Sequence, residues 1–295
     1  MKIASFDGGH IGVIEGADII DVTALAGLQA GIWPPVGMVK FIDEYPRMAS
    51  QLMAGMANAP RRPLASVRLD APVQWPNKLI AYPANYHAHV EEQIKSKVGL
   101  ISKFTADGQG FFLKANSSIS GPNDPIVLPD LADREVHHEC ELAIIIGKGG
   151  REISRADAMD HIFGYSCLID VVVRGKEERV MRKSYDSFCP LGPYIVTADE
   201  IADPEAINLE LRVNGEIRQS AITRDLIVDI PGMIEMASAV MTLHPGDVIA
   251  SGTPKGVGPL RGGDVVTISI SGVGEMQLNV VQSQGGNHAV WKKSA

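Results

Sequence analysis

The stretch REVHHECELAIIIG, residues 134–147, places two glutamates one residue apart at the start of a strongly apolar run. Side chains alternate along an extended strand, so Glu139 and Glu141 point to one side and Cys140 to the other. At a rise of about 3.3 Å per residue, the two carboxylates lie roughly 7 Å apart. Two like charges this close, on a strand that continues into LAIII, repel each other and lose hydration. Such a pair needs either a solvated strand face or a positive partner.

Composition limits the class of protein. The chain has 295 residues, of which 45% are apolar, enough for a sizeable core without disulfides or structural metals. The formal net charge of -8 argues against nucleic-acid binding as the main function. These values are typical of a soluble enzyme.

Cysteine usage and the first residues indicate a location. Cys140, Cys167 and Cys189 match no zinc or redox spacing, and their odd number argues against a disulfide framework. We therefore expect a reducing cytoplasm. The start MKIASFDGGHIGVIEG does not have the pattern of a signal peptide, and no apolar run approaches the roughly 18 residues of a membrane span. We expect no membrane association.

Two domains are predicted. Residues 1–72 have short strands around a DGGH turn, then one or two helices within 36–58, which suggests a small N-terminal α+β domain. A Pro- and Arg-rich linker ends near residue 75. Residues 73–295 contain many short strands and few helices without regular alternation, which predicts a mainly β core with peripheral helices, an α+β fold.

Three segments of the second domain have helical signals. NYHAHVEEQIKS (85–96) reads as a helix with Asn85 as its N-cap, SRADAMDHIFG (154–164) as a helix that starts at Ser154, and DIPGMIEMASAVM (229–241) as a third. Residues 96–110 lack periodicity and contain three glycines, which suggests a flap over a site.

Two interpretations of the glutamate pair stay open on local sequence. Glu139 and Glu141 lie either on the solvated face of an edge strand or in a divalent metal site, whose oxygen ligands suit Mg²⁺, Mn²⁺ or Ca²⁺. Asp170, inside the apolar run SCLIDVVV, is the best third carboxylate, and its alternative is an ion pair with Arg174. The adjacent His137 and His138 do not form a zinc motif.

Further residues have the chemistry of a catalytic site. His89 and Glu92 are three apart on the predicted helix, where a carboxylate would orient a general base, although a surface pair has the same spacing. Lys183 precedes a Pro/Gly-shaped loop and could stabilise an enolate or carboxylate. In GDVIASGTPKGVG (246–258), Thr253 and the backbone of a Gly-rich turn can approach an anion.

Together these stretches resemble the fumarylacetoacetate hydrolase family over roughly residues 78–282. The matching segments occur in the family's order: N-Y-x-x-H-x-x-E (85–92), F-x-K-x-x-S-S (112–118), E-x-E-L-A-x-x-I-G (139–147), G-Y-x-x-x-x-D (164–170), K-S-x-D-x-F-C-P-L-G-P (183–193), V-N-G-E-x-R-Q (213–219), T-L-x-P-G-D-V-I (242–249) and G-T-P-x-G-V-G (252–258). After the metal aspartate, family members usually read A-R-D-x-Q. Here VVVRGKEE keeps Arg174 but has Gly175 in place of the acid and lacks the Gln.

The resemblance implies a site. It implies a divalent cation, Mg²⁺ above all and Mn²⁺ or Ca²⁺ as alternatives, held by carboxylates at the positions of Glu139, Glu141 and Asp170. It implies His89 with Glu92 as the water-activating pair and Lys183 beside the substrate oxygens. Substrate contacts are implied for Lys114, Ser118, Arg174 and Thr253. It also implies a mixed β-sandwich roll, a small N-terminal domain and a homodimer.

The resemblance also implies a reaction on a small 2-oxo or diketo acid. The expected activity is hydrolysis of a carbon–carbon bond in a 1,3-diketo acid such as an acylpyruvate or a fumarylacetoacetate-like acid. A decarboxylase or isomerase of oxaloacetate-like or 2-hydroxydienoate acids would use the same site. A non-catalytic binding protein with this fold is the third alternative.

Overall fold

The structure, a computed structural model, describes residues 1–96, 105–131 and 134–285. Its strands are β1 (Lys2–Phe6), β2 (His10–Glu15), β3 (Asp18–Asp21), β4 (Arg61–Pro63), β5 (Leu69–Asp70), β6 (Leu79–Ala81), β7 (Phe112–Lys114), β8 (Ile119–Ser120), β9 (Ile126–Leu128), β10 (Val136–His138), β11 (Cys140–Ile146), β12 (Ile162–Ile169), β13 (Val172–Val173), β14 (Cys189–Thr197), β15 (Asn208–Val213), β16 (Glu216–Ile222), β17 (Val248–Ala250), β18 (Gly258–Pro259), β19 (Val265–Ile270) and β20 (Gly274–Gln282). Its α-helices are α1 (Gly37–Gly55), α2 (His87–Ser96), α3 (Ala106–Gln109), α4 (Arg179–Arg182) and α5 (Ile230–Val240). The predicted mainly β architecture with few helices is confirmed.

The N-terminal segment adds strands to the main sheet. The predicted hairpin of β1 and β2 forms about the DGGH turn. The other edge of β1 pairs antiparallel with β14, where Lys2 lies opposite Val196. Side chains on both sides of residue 72 share one apolar cluster, which includes Phe41 and Ile145. The strands therefore form one continuous sheet, and the division of the chain into two domains stays a prediction.

Among the described residues, twelve strands belong to this main sheet. Its long path runs β4-β3-β2-β1-β14-β12-β11-β17-β6-β7, with β5 paired to β1 and β8 to β14. Every residue of β11 is buried, because β12 and β17 flank it and apolar layers cover both faces. The continuous run LAIII is typical of a strand that is buried on both faces.

A second sheet completes the sandwich. Five strands follow the order β16-β15-β19-β20-β9. VVTISI in β19 alternates buried and half-buried residues, as expected for a sheet with one face in the core. Leu211 and Ile268 of this sheet belong to the same apolar cluster as Leu142 and Ile144 of β11. The small sheet β13-β10-β18 lies beside them.

Three local predictions differ from the structure. Residues 154–164 hold only a short 3₁₀ helix, Ala158–His161, before β12 begins at Ile162. The Ser154 hydroxyl bonds Asp157 there, in a turn rather than at the start of an α-helix. The helix predicted at 85–96 is present as α2, but Asn85 does not serve as its N-cap. The Asn85 Oδ1 accepts from Val228 N, and its Nδ2 donates to Ser251 O.

Other segments agree in part. The stretch 36–58 forms the single helix α1, with Pro46 inside it, followed by a short 3₁₀ helix. The predicted linker contains the short strands β4 and β5. Of the predicted flap, residues 97–104 lie outside the described residues, and α3 occupies its last part. No described helix has both the length and the apolar character needed to cross a bilayer.

Gly164 tests the packing of the sheet that carries the site. A Cβ at this position would lie 2.2 Å from Val196 O and 2.7 Å from Ile195 Cγ2, so β12 and β14 would have to move apart. We expect Gly164→Ala to lower the free energy of unfolding by about 1–3 kcal/mol, as overpacking does. Urea denaturation measures it.

Gly37→Ala is the matched control. Gly37 begins α1, and a Cβ there would meet only Gly9 O at 3.7 Å. Because alanine favours helix, this variant should be neutral or slightly more stable. Equal stabilities for the two variants would contradict the packing described for β12 and β14.

Candidate metal and active site

Strand pairing brings three acidic side chains together. Cys140 in β11 pairs with Ile169 at the end of β12, so Glu139 and Glu141 lie beside Asp170, which directly follows β12. Asp170 N donates to Glu139 O at 2.8 Å and fixes this junction. Carboxylate oxygens of the three residues lie within 4.8 Å of one another. All three residues are at least 94% buried, which excludes the solvated edge strand.

Three cationic side chains face these carboxylates. Lys183 Nζ lies 2.6 Å from Glu139 Oε2 and 2.5 Å from Asp170 Oδ2. Lys114 Nζ lies 2.5 Å from Asp170 Oδ1, and Arg174 Nη2 lies 3.4 Å from Glu139 Oε1. The pair of Asp170 with Arg174, which the sequence had left open, is therefore replaced by pairs with two lysines.

The positive charges are unevenly distributed over the cluster. Burial opposes ionisation of Glu139, but the charges of Lys183 and Arg174 outweigh it and lower its pKa to about 2. Burial, followed by repulsion from Asp170, raises the pKa of Glu141 well above its usual value. Burial would lower the pKa of Lys183, yet Asp170 and Glu139 raise it. Lys183 is therefore charged, and Glu141 is the carboxylate that lacks compensation.

The donor set fits a divalent cation. Three converging carboxylates offer the oxygen ligands that hard cations such as Mg²⁺, Mn²⁺ and Ca²⁺ bind. The raised pKa of Glu141 shows that the lysines do not neutralise the whole cluster. A cation would let all three acids ionise together, so Glu139, Glu141 and Asp170 are the residues that could hold it.

A histidine–glutamate pair lies on α2. His89 Nδ1 is 3.2 Å from Glu92 Oε2, and His89 is 98% buried. Burial would raise the pKa of Glu92, but the bonds to His89 and to Gly256 N lower it. An ionised Glu92 only accepts, so Nδ1 carries the imidazole proton and Nε2 has the lone pair. Gln93 Nε2 lies 2.8 Å from that Nε2.

One cavity of about 340 Å³ joins these groups. Its wall includes His89, Lys183, Arg174, Thr253 and the three acidic residues. The structure therefore brings together most of the residues singled out in the sequence.

Lys114 and Ser118 lie outside this wall. Lys114 reaches Asp170 and Phe188 O (2.9 Å), behind the cluster. Ser118 Oγ donates to Ala115 O at 2.7 Å. Their roles as substrate contacts stay predictions.

Sequence reasoning missed three residues near the site. Arg179 and Arg182 of α4 line the cavity, and the Arg179 guanidinium lies 5.3 Å from the centre of the Phe112 ring. KEERVMRK reads locally as a charged surface, so no signal singled them out. Gln219 is 99% buried, and its amide donates to Thr253. In the sequence, only its place at the end of the matching segment 213–219 singled it out.

The chain is similar to known enzymes of one family. The family model "Fumarylacetoacetate (FAA) hydrolase C-terminal" matches residues 78–281. A maleylpyruvate hydrolase of Aquipseudomonas alcaligenes is 42% identical over 285 residues, 95% of this chain and 99% of that protein. A mitochondrial oxaloacetate tautomerase of Homo sapiens is 37% identical, over 77% of this chain and 72% of that protein.

A solved structure agrees with these matches. The crystal structure of maleylpyruvate hydrolase from Sphingobium sp. SYK-6, in complex with manganese(II) and pyruvate, superposes with a TM-score of 0.87 at 52% identity, over 96% of this chain and 100% of that chain. Two predictions are confirmed: the mainly β fold of the fumarylacetoacetate hydrolase type, and a hydrolase that acts on carbon–carbon bonds. The chain therefore belongs to the fumarylacetoacetate hydrolase family.

Proposed function

We propose that this protein hydrolyses the bond between the distal carbonyl carbon and the methylene carbon of an acylpyruvate that carries a second carboxylate at its far end. The observation that carries the proposal is the buried cluster of Glu139, Glu141 and Asp170 in one cavity with His89, which Glu92 orients. The similar maleylpyruvate hydrolases support this substrate class. A homodimer and a cytoplasmic location stay predictions.

Mg²⁺ is the cation we propose for the three carboxylates, with Mn²⁺ and Ca²⁺ as alternatives. Manganese in a similar structure supports a divalent cation of this kind. When bound, the cation would supply Lewis-acid polarisation of the 2-oxo acid group. The site would then hold three cationic side chains and a divalent cation against three carboxylates, and a dicarboxylate substrate would neutralise the remaining positive charge.

His89 and Lys183 would carry the proton and charge transfers. His89 Nε2, which lines the cavity and has to release the Gln93 amide 2.8 Å away, takes a proton from water, whose oxygen attacks the distal carbonyl carbon. The bond between that carbon and the methylene carbon of the pyruvate unit breaks. Its electron pair passes to a pyruvate enolate, whose charge the Lys183 ammonium stabilises. Proton transfer from His89 to the enolate then gives pyruvate and a carboxylic acid.

Arg179 would bind the far carboxylate. It lines the cavity on α4, packs over Phe112, and its Nη2 donates to Gln109 Oε1 at 2.9 Å, which aims the guanidinium. Arg174 contributes a buried Nε with no hydrogen-bond partner among the described residues. Guanidinium groups bind carboxylates through two parallel hydrogen bonds.

Tautomerisation of an oxaloacetate-like acid is the second candidate function. The similar human oxaloacetate tautomerase supports it. The same His89 would move a proton between carbon and oxygen without breaking the carbon skeleton. Decarboxylation would release carbon dioxide from the same substrates.

A substrate panel separates these reactions. Acetylpyruvate, maleylpyruvate, oxaloacetate and a 2-hydroxydienoate would be incubated with and without Mg²⁺ or Mn²⁺. We expect metal-dependent release of pyruvate from the acylpyruvates, fastest with maleylpyruvate. Enol–keto exchange of oxaloacetate without any pyruvate release would instead identify a tautomerase.

His89→Ala tests the proposed base. Loss of the imidazole should lower kcat for acylpyruvate hydrolysis about 100- to 10,000-fold. The affinity for Mn²⁺, measured by calorimetry, should not change, because His89 is not one of the three proposed cation ligands. His87→Ala, on the exposed side of α2, is the matched control. Full turnover by His89→Ala would show that His89 is not the base.

Glu141→Gln tests the cation site. Because the pKa of Glu141 is raised, the amide resembles its protonated form and should leave the melting temperature of the metal-free protein unchanged. The affinity for Mn²⁺ should fall at least about 100-fold, since a charged ligand is lost. Exposed Glu275→Gln provides the control. Undiminished Mn²⁺ affinity would place the cation elsewhere.

Arg179→Met tests the far carboxylate. Loss of a charge-assisted contact, worth about 1.5–3 kcal/mol, should raise KM for maleylpyruvate at least about tenfold. KM for acetylpyruvate, which lacks that carboxylate, should change little. Exposed Arg151→Met controls for the lost charge. An equal effect on both substrates would argue against this contact.

A further inference from the structure

Gln219 makes four hydrogen bonds and is 99% buried between two walls of the cavity. Its Oε1 lies 2.9 Å from Cys140 N and 3.0 Å from His138 Nδ1. Its Nε2 lies 2.7 Å from Thr253 Oγ1 and 2.8 Å from Pro254 O. A primary amide has two hydrogens and two lone pairs, so its hydrogen-bonding capacity is fully used.

Backbone partners fix the orientation of this amide. Cys140 N can only donate, so the atom that faces it is the amide oxygen. Pro254 O can only accept, so the atom that faces it is the amide nitrogen. These two contacts exclude the flipped amide, which would place oxygen against oxygen and N–H against N–H.

The fixed amide determines the role of the Thr253 hydroxyl. Thr253 Oγ1 accepts one of the Gln219 hydrogens, so the hydroxyl hydrogen must point elsewhere. Within the described part of the chain, no side chain or carbonyl accepts that hydrogen. Thr253 is 97% buried and lines the cavity beside the acidic cluster. The hydroxyl hydrogen is thus left available to a ligand in the cavity.

We propose that Gln219 is a positioning residue, whose amide turns the Thr253 hydroxyl into a fixed hydrogen-bond donor for the carboxylate of a bound 2-oxo acid. This inference rests on the proposed function for the class of ligand. Gln219 does not line the cavity and acts through Thr253. It also joins the strand end that carries Glu139 to the loop that carries Thr253, so one side chain sets both walls.

Gln219→Glu reverses the polarity of this contact. A carboxylate keeps the size of the amide and still accepts from Cys140 N, but it cannot donate to Thr253. The hydroxyl would then donate to residue 219 and turn its lone pairs to the cavity. The measurement is calorimetric binding of pyruvate to the Mn²⁺-loaded protein, which needs no turnover. We expect at least about tenfold weaker binding of pyruvate by Gln219→Glu and by Thr253→Val, and near-native binding by Thr253→Ser.

A double variant separates positioning from added charge. If Gln219 acts through Thr253, Gln219→Glu should weaken pyruvate binding no further in a Thr253→Val background. Gln277→Glu, on the exposed face of β20, adds the same charge away from the cavity and should bind pyruvate normally. Mn²⁺ affinity, expected to be near native in every variant, reports on the metal site. Thermal melts report on folding: Thr253→Val and Gln277→Glu should melt near the native temperature, and Gln219→Glu lower, because its second oxygen would face Pro254 O.

Several results would overturn the proposal. Native affinity of Thr253→Val for pyruvate would show that the hydroxyl donates nothing, even if Gln219→Glu failed to fold. Additive losses of pyruvate affinity in the double variant would show that residue 219 acts by charge alone. If the Mn²⁺-loaded native protein does not bind pyruvate, 2-oxo acids are not the ligands of this hydroxyl. If the variants bind pyruvate in the expected order but the native protein turns over no acylpyruvate, only the proposed function is overturned.

Discussion

The burial of three carboxylates in an apolar sheet is the constraint on which the rest of the site depends. An isolated buried carboxylate is costly, so each must have a partner of opposite charge or a hydrogen-bond donor. Lys183 lies between Glu139 and Asp170, and Lys114 supports Asp170 from the other side. Among the described residues, only the backbone N–H of Gly252, at 2.8 Å, donates a hydrogen bond to Glu141. This imbalance makes the cluster receptive to a cation.

The loop after β17 connects the cluster to the proposed base. Gly252 N donates to Glu141, and Gly256 N donates to both oxygens of Glu92 at 2.9 and 3.1 Å. Gly256 has a φ of +96°, and a Cβ there would lie 1.9 Å from Arg218 O, so only glycine allows this approach. The glycines of G-T-P-x-G-V-G therefore place two backbone donors, and Gln219 holds Thr253 between them.

Local pattern predicted more of the site than of its surroundings. The E-x-E spacing on a strand and the charge inside SCLIDVVV identified three residues that the structure brings within 4.8 Å. By contrast, the helical signal of SRADAMDHIFG was wrong, because residues from Ile162 on pair in β12. Asn85 has good capping chemistry, but its side chain bonds distant backbone groups at Ser251 and Val228. Tertiary hydrogen bonds outweighed local propensity at both places.

The mainly β class, the family and the acidic residues could be predicted before folding was considered, because alternation, apolar runs and ordered motifs are local properties of the chain. The folded chain was needed to show which cation faces which carboxylate: Lys183 and Lys114 bond Asp170, while Arg174 faces Glu139. It also decided that Arg179 lines the cavity and that Gln219 orients Thr253. These arrangements depend on strand register and on contacts between residues far apart in the chain, as from Gln219 to Cys140, which no local pattern encodes.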